Sequence, residues 1–135
     1  MANYRIEEDL LGKREVPENV YYGVQTLRAM ENFHLTGYKI DKDFIKALGI
    51  VKKAAAQANM EVGLLDEKRA KAIMDASQEV IDGKLNDEFV LDPIQGGAGT
   101  SNNMNANEVI ANRAIELYGE GNRGESKVIS SLTHV

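Results

Sequence analysis

The residues with the clearest chemical potential lie between Gln95 and Ala114, in the run QGGAGTSNNMNANEVIANRA. A glycine-rich turn delivers two hydroxyls, Thr100 and Ser101, to the start of a helix unusually full of asparagine. Backbone N–H groups in the first turn of a helix lack intrahelical partners and carry partial positive charge, so a carboxylate or phosphate can settle there with neighbouring hydroxyls as further donors. The pattern is not a dinucleotide fingerprint, because Asn102 stands where the third glycine of G-x-G-x-x-G belongs, and no GK[ST] follows to make a phosphate loop. Spacing alone leaves two readings open: an anion site, or a glycine turn with a Thr or Ser N-cap.

The asparagines weigh on that choice. Asn102, Asn103, Asn105, Asn107 and Asn112 each disfavour a helix relative to alanine, by roughly 2–3 kcal/mol in sum. Something must offset this. For most of them the expected gain is structural, with buried side chains tying neighbouring segments or capping local backbone. Asn103 and Asn107 share a face at i,i+4, which makes one of them near the helix start a ligand-facing candidate.

Other chemistry-bearing residues are scattered. His134 is a weak acid–base or binding candidate at the chain end, and His34 a weaker one; no histidine pair has metal-ligand spacing, so no metal site is expected. Arg28 is expected chiefly as an ion-pair partner, with a substrate role as its minor alternative. Tyr21 and Tyr22 are expected to pack. Glu7 and Glu8 sit in a solvated charge run, which gives paired-carboxylate catalysis no support.

These residues are positioned by a mainly helical framework. The first twenty residues alternate weakly around Gly12 and Pro17, as in extended segments or a small hairpin. Residues 21–33 repeat Val24, Leu27 and Met30 near helical spacing and form a short helix ending at the Gly37 turn. A longer helix is expected after an Asp41 or Asp43 cap, with Phe44, Leu48, Val51, Ala55, Ala58 and Val62 on its buried face and Gly63 as its stop. The next is capped by Asp66 and carries Ala70, Ile73, Ser77 and Val80 on one stripe, ending at Gly83; so short a link makes the two antiparallel neighbours. Residues 86–93 are a connection or short strand, the asparagine-rich helix runs from Ser101 to about Tyr118, and GEGNRGESK is an exposed loop.

With 135 residues the chain has the size of a single domain, 1–135. An apolar fraction of 43% with 27% charged residues is that of a soluble globular chain, and a net charge of −5 argues against nucleic acid or an anionic membrane as partner. The absence of cysteine excludes disulfides, thiolate metal sites and a cysteine nucleophile, and fits a reducing compartment. Neither a signal segment nor an apolar run near the roughly 18 residues of a membrane span is present, so the cytoplasm is the expected location.

Taken with RIEEDLLGKREVPENVYYGVQTLRAMENF, IVKKAAAQANMEVGLL and DPIQGGAGTSNNMNANEVIANRA, the chain closely resembles the N-terminal domain of aspartate ammonia-lyases, in the aspartase/fumarase superfamily. Class II fumarases are similar, but their corresponding turn reads like GSGTQ, whereas Gly97–Ser101 reads GAGTS. The resemblance implies reversible elimination of ammonia from L-aspartate to give fumarate, without an organic cofactor, in a cytoplasmic homotetramer. It implies that Thr100 touches a substrate carboxylate and amino group, with Ser101 in the same turn. The bottom-up anion site and the family role then fall on the same residues.

The same resemblance implies missing parts. The family's base is a serine on a mobile loop of pattern GSSxMPxKxN, which is absent here, as are the SxSTND-type segment and the long central helices that build the tetramer. Family active sites combine residues from three subunits, of which this chain would carry one region. Ser130–Val135 reads SSLTHV where the family usually reads like SPNxHV, so Ser131 and Leu132 depart from the expected turn beside His134. The expectation is a domain truncated before the central bundle and inactive alone. Two alternatives stand beside it: a class II fumarate hydratase domain, and a non-catalytic module that self-associates or docks through uncovered apolar faces.

Overall fold

In a computed structural model, which describes residues 3–135, the weakly alternating N-terminus is an antiparallel hairpin. Strand β1 (Tyr4–Asp9) pairs with β2 (Gly12–Pro17), Arg5 opposite Val16 and Glu7 opposite Arg14. Its alternation is inverted: Arg5 and Glu7 are buried, while Tyr4 and Ile6 face outward. The inward face is therefore held by charge-assisted hydrogen bonds instead of apolar packing. Arg5 donates to Glu7 at 2.8 Å and to the carbonyls of Pro17 at 2.7 Å, Val20 at 2.9 Å and Tyr22 at 2.7 Å, fastening the hairpin to the segment that leads into the first helix.

Four helices follow: α1 (Val24–Asn32), α2 (Lys42–Glu61), α3 (Glu67–Ile81) and α4 (Thr100–Tyr118). The expected caps form at α2, where Asp41 accepts from the Asp43 N–H, and at α3, where Asp66 accepts from Arg69. Lys53 of α2 meets Gln78 of α3, and Gly49 lies against Ser77, Val80 and Ile81, so the two run antiparallel as expected. Between α3 and α4 the connection contains a 3₁₀ turn (Asn86–Glu88), after which Phe89 and Leu91 plug the core.

One helix face differs from its reading in the sequence. Ala70, Ile73, Ser77 and Val80 of α3 are all buried, but α2 buries Ile45, Gly49 and Ala56 and leaves Phe44, Val51 and Val62 in solvent. Apolar residues surround α2 widely enough that periodicity could not choose the phase. Close approach chose it: a Cβ at Gly49 would stand 3.0 Å from Ile81 Cγ1 and 3.1 Å from the Ser77 carbonyl, so only the glycine-bearing side admits α3.

Helix α4 is the central element, packed on α3 and α1, with residues from Asn105 to Ile115 buried apart from half-buried Arg113. Three of its asparagines answer the propensity question. Asn105 donates to the Glu88 carbonyl at 3.0 Å, Asn107 to Ser131 at 2.9 Å and Asn112 to Tyr21 at 2.7 Å, while Asn112 Oδ1 accepts from the Gly124 N–H at 2.7 Å. Each satisfies backbone of an irregular segment that secondary structure cannot serve. No helix of the described residues is long and apolar enough to cross a membrane.

Candidate functional site

The glycine-rich turn is exposed from Gly96 to Thr100. Gly97 and Gly99 have φ of 82° and 81°, the left-handed region that glycine enters without a Cβ penalty. Gly99 is itself the N-cap of α4 and no side chain caps the helix. The first intrahelical bond runs from the Asn103 N–H to the Gly99 carbonyl at 3.2 Å, and the amides of Thr100, Ser101 and Asn102 have no acceptor among the described residues. Thr100 is exposed, Ser101 half-buried, and neither hydroxyl is hydrogen-bonded within the described residues. Three amides and two hydroxyls thus stand without protein partners among the described residues at the positive end of a 19-residue helix.

Thr100 also lines a half-open cavity of about 770 Å³. Its other walls include Met104 of α4, Gln25 of α1, Leu10 and Leu11 at the hairpin tip, and Ser130 and Ser131. Of the carboxylates around this cavity, Glu7, Asp9 and Glu108 are committed to protein donors.

Of the other residues singled out in the sequence, Asn103 lies beside the turn and the rest lie apart from it or are already engaged. Arg28 forks onto Asp9, Nε to Oδ2 and Nη2 to Oδ1, both at 2.9 Å, and also donates to the Gly12 carbonyl at 3.0 Å. That pairing holds the Asp9 carboxyl below the usual carboxylate range. Asn103 is exposed on the first turn of α4, whereas Asn107, one turn on, is buried with its Nδ2 bonded to the Ser131 carbonyl. His134 folds back on its own turn, its Nδ1 accepting from the Ser130 N–H at 2.9 Å, and burial with the nearby Arg69 charge favours the neutral imidazole. No group of three or more His, Cys, Asp or Glu is placed to hold a metal ion among the described residues.

Sequence reasoning missed the carboxylates that organise the surroundings. Glu108 Oε2 accepts from the amides of Gly23 at 2.9 Å and Thr26 at 3.0 Å and from the Thr26 hydroxyl at 2.6 Å, while Oε1 accepts from the Gln25 amide at 2.8 Å. Glu7 takes the Val24 amide at 2.8 Å. These bonds cap α1, and they begin it at Val24, three residues after the expected start. Burial raises the Glu108 carboxyl, against the opposing pull of the Thr26 hydroxyl and three amides. Its signal was present: a charged residue directly before the apolar run Val109–Ile110–Ala111, in the middle of a helix, must be satisfied by something.

Asp92 is the second such group. Its buried carboxylate accepts from the amides of Leu35 at 3.2 Å, Thr36 at 2.6 Å, Gly37 at 3.0 Å and Ile94 at 2.8 Å, and from the Thr36 hydroxyl. Burial alone would raise this carboxyl; the amides of Thr36, Ile94 and Gly37 and the Thr36 hydroxyl outweigh it and hold it well below the ordinary carboxylate range.

The described residues form a hairpin leading into a helical unit, with an open helix N-terminus behind a glycine-rich turn. The sequence profile of the lyase family matches residues 12–134, and the chain belongs to that family. It is 63% identical over 134 residues to an aspartate ammonia-lyase of Bacillus sp, covering 99% of this chain and 28% of that protein. It is 57% identical to the aspartate ammonia-lyase of Bacillus subtilis (98% of this chain, 28% of the relative). A class II fumarate hydratase of Halobacterium salinarum is also 57% identical, over 118 residues (87% of this chain, 25% of the relative). Among solved structures, the fumarate lyase:delta crystallin of Brucella melitensis superposes with a TM-score of 0.93 at 49% identity, over 96% of this chain and 30% of that one. The chain therefore spans under a third of the length of the relatives it matches.

Proposed function

We propose that this chain supplies the carboxylate-binding turn of a cytoplasmic lyase that eliminates ammonia from L-aspartate to give fumarate, reversibly. The observation that carries this reading is the unfilled N-terminus of α4 with the Thr100 hydroxyl beside it. Removal of a Cβ proton next to a carboxylate places additional negative charge on that carboxylate, and donors aimed at it in advance stabilise the intermediate. Thr100 is the principal contact, Ser101 the second and Asn103 the third. The whole active enzyme is a homotetramer in this reading.

Alone, the chain does not turn over. One well-placed oxyanion donor is worth about 3–4 kcal/mol, against the roughly 8–23 kcal/mol by which enzymes lower barriers, so a turn without base or second carboxylate clamp falls far short. Fumarate absorbance after addition of L-aspartate should stay flat; turnover by the chain that disappears in Thr100→Ala would contradict this. Binding is tested separately by titrating succinate against the chain and following amide shifts. Perturbation centred on Thr100, Ser101 and Asn102 is expected, and its absence sinks the carboxylate-site reading.

Two other readings have specific support. The fumarate hydratase relative favours a hydration–dehydration enzyme, with GAGTS at Gly97–Ser101 as the feature against it; stronger shifts with L-malate than with L-aspartate would favour that reading. The exposed stripe Phe44, Val51 and Val62 of α2 favours association with a second copy of this chain. Sedimentation velocity decides this one, a concentration-independent monomer excluding it.

A further inference from the structure

We propose that Gln95 and Asp92 are positioning residues for the glycine-rich turn, Gln95 strapping its two ends together and Asp92 anchoring the strapped turn to the loop after α1. The inference rests on the carboxylate-site reading and deepens it. The difficulty it resolves is physical. Gly96, Gly97, Ala98 and Gly99 are all exposed, and a Cβ built at Gly97 or Gly99 would meet nothing within 4 Å, so packing does not define where the turn's amides point. Glycine-rich backbone loses more freedom on ordering than any other, and a donor array that is not held in place loses much of its value to an anion.

Side-chain hydrogen bonds supply the definition that packing does not. Gln95 Nε2 donates to the Asp92 carbonyl at 2.8 Å, at the entrance to the turn, and to Asn102 Oδ1 at 2.9 Å, in the first turn of α4. The Asp92 carbonyl can only accept, which assigns the nitrogen of this amide to the strap, while Gln95 Oε1 is buried without a partner among the described residues. One side-chain nitrogen therefore closes the neck of the loop that presents Thr100 and Ser101. The Asp92 carboxylate makes the tie external: Oδ1 takes the Ile94 amide at 2.8 Å on the turn side, and Oδ2 takes the amides of Thr36 at 2.6 Å and Gly37 at 3.0 Å on the other. Phe33, at the end of α1, lies beneath the same turn, 3.7 Å from where a Gly96 Cβ would stand. No atom of Gln95 or Asp92 needs to touch the ligand for this role.

The test uses the full chain and two variants that cut the strap from opposite ends, Gln95→Met, which keeps length and removes both donors, and Asn102→Ala. Expected results are lower ¹⁵N order parameters confined to residues 96–102, an unchanged thermal midpoint, and a succinate Kd from amide-shift titration raised about tenfold. The double variant should be no worse than Gln95→Met, because Gln95→Met already removes the one contact that Asn102→Ala breaks. A structural role alone would lower the thermal midpoint without a local change in order. Order parameters equal to the parent's in both variants overturn the strap whether or not succinate binds, and lowered order with unchanged Kd overturns its role in binding. Absence of succinate-dependent shifts in the parent, by contrast, strikes the carboxylate-site reading itself and leaves the order parameters to decide the strap.

Discussion

Helices α1 and α4 present the same physical object, a first turn of unpaired amides, and the fold treats the two oppositely. At α1 the amides of Gly23, Val24, Gln25 and Thr26 are consumed by two protein carboxylates, Glu108 and Glu7, in a buried setting where a Cβ at Gly23 would stand 2.6 Å from Glu7 Oε2. At α4 the corresponding amides of Thr100, Ser101 and Asn102 have no acceptor among the described residues and face an exposed glycine turn. A helix N-terminus that the chain fills for itself becomes a structural joint, here between the hairpin, α1 and α4. One that it leaves open, and orders from behind, is available to a ligand carboxylate.

The comparison can be broken most forcefully at the closed site. Glu108→Ala leaves three amides and a hydroxyl without their acceptor in a buried place and should destabilise the chain by about 3–5 kcal/mol, read by urea denaturation. The isosteric Glu108→Gln keeps one acceptor oxygen and should cost less. A loss below 1 kcal/mol in the alanine variant would mean that the joint is not structural.

Acid titration separates two of the buried carboxylates by sign. Asp92 is held below its ordinary value of 3.8 in the folded chain, so its stabilisation is complete above that pH and fades as pH falls beneath it. Glu108 is raised above its ordinary 4.5, so the folded state binds the extra proton and stability falls as pH rises from 4.5 through the folded value. Thermal midpoints measured from pH 3 to pH 7 should show a shallower acid loss in Asp92→Asn and a flatter upper limb in Glu108→Gln. Identical profiles in parent and variants would remove both groups from the account.

At the open site the effects on stability shrink while those on binding grow. Gly99→Ala meets no neighbouring atom yet must hold a φ of 81°, at a cost of about 1–2 kcal/mol in thermal or denaturant unfolding, with weakened succinate binding as the turn relaxes. Thr100→Val should change stability by less than about 0.5 kcal/mol, since its hydroxyl bonds to nothing in the described chain, while weakening succinate binding several-fold. A Thr100 variant that unfolds the chain would show the two N-termini to be alike after all.

Much of the framework was legible in residue order, and the particulars explain the rest. The extended N-terminus, a cap at Asp41 or Asp43, the Asp66 cap, the α3 stripe and the limits of α4 follow from local chemistry, since a cap or a glycine stop acts within one turn of its own position; the structure selects the hairpin and Asp41. The phase of α2 was not legible, because apolar residues on several faces make every phase look acceptable until Gly49 is seen against Ile81. Among the candidate site residues, the placing of Thr100 and Ser101 on the first turn of α4 was readable from the glycine turn. The contacts of Gln95 and Asp92 were not, because they reach across the neck of the loop and into residues 35–37.

By itself the sequence determined that a helix begins at the glycine turn with two hydroxyls on its first residues, because backbone freedom and capping are short-range properties. Only the tertiary structure decided which of the two N-termini stays open. The carboxylate that takes three of the four α1 amides comes from Glu108, more than eighty residues downstream, and no periodicity or local preference encodes a meeting that depends on α4 packing against α1.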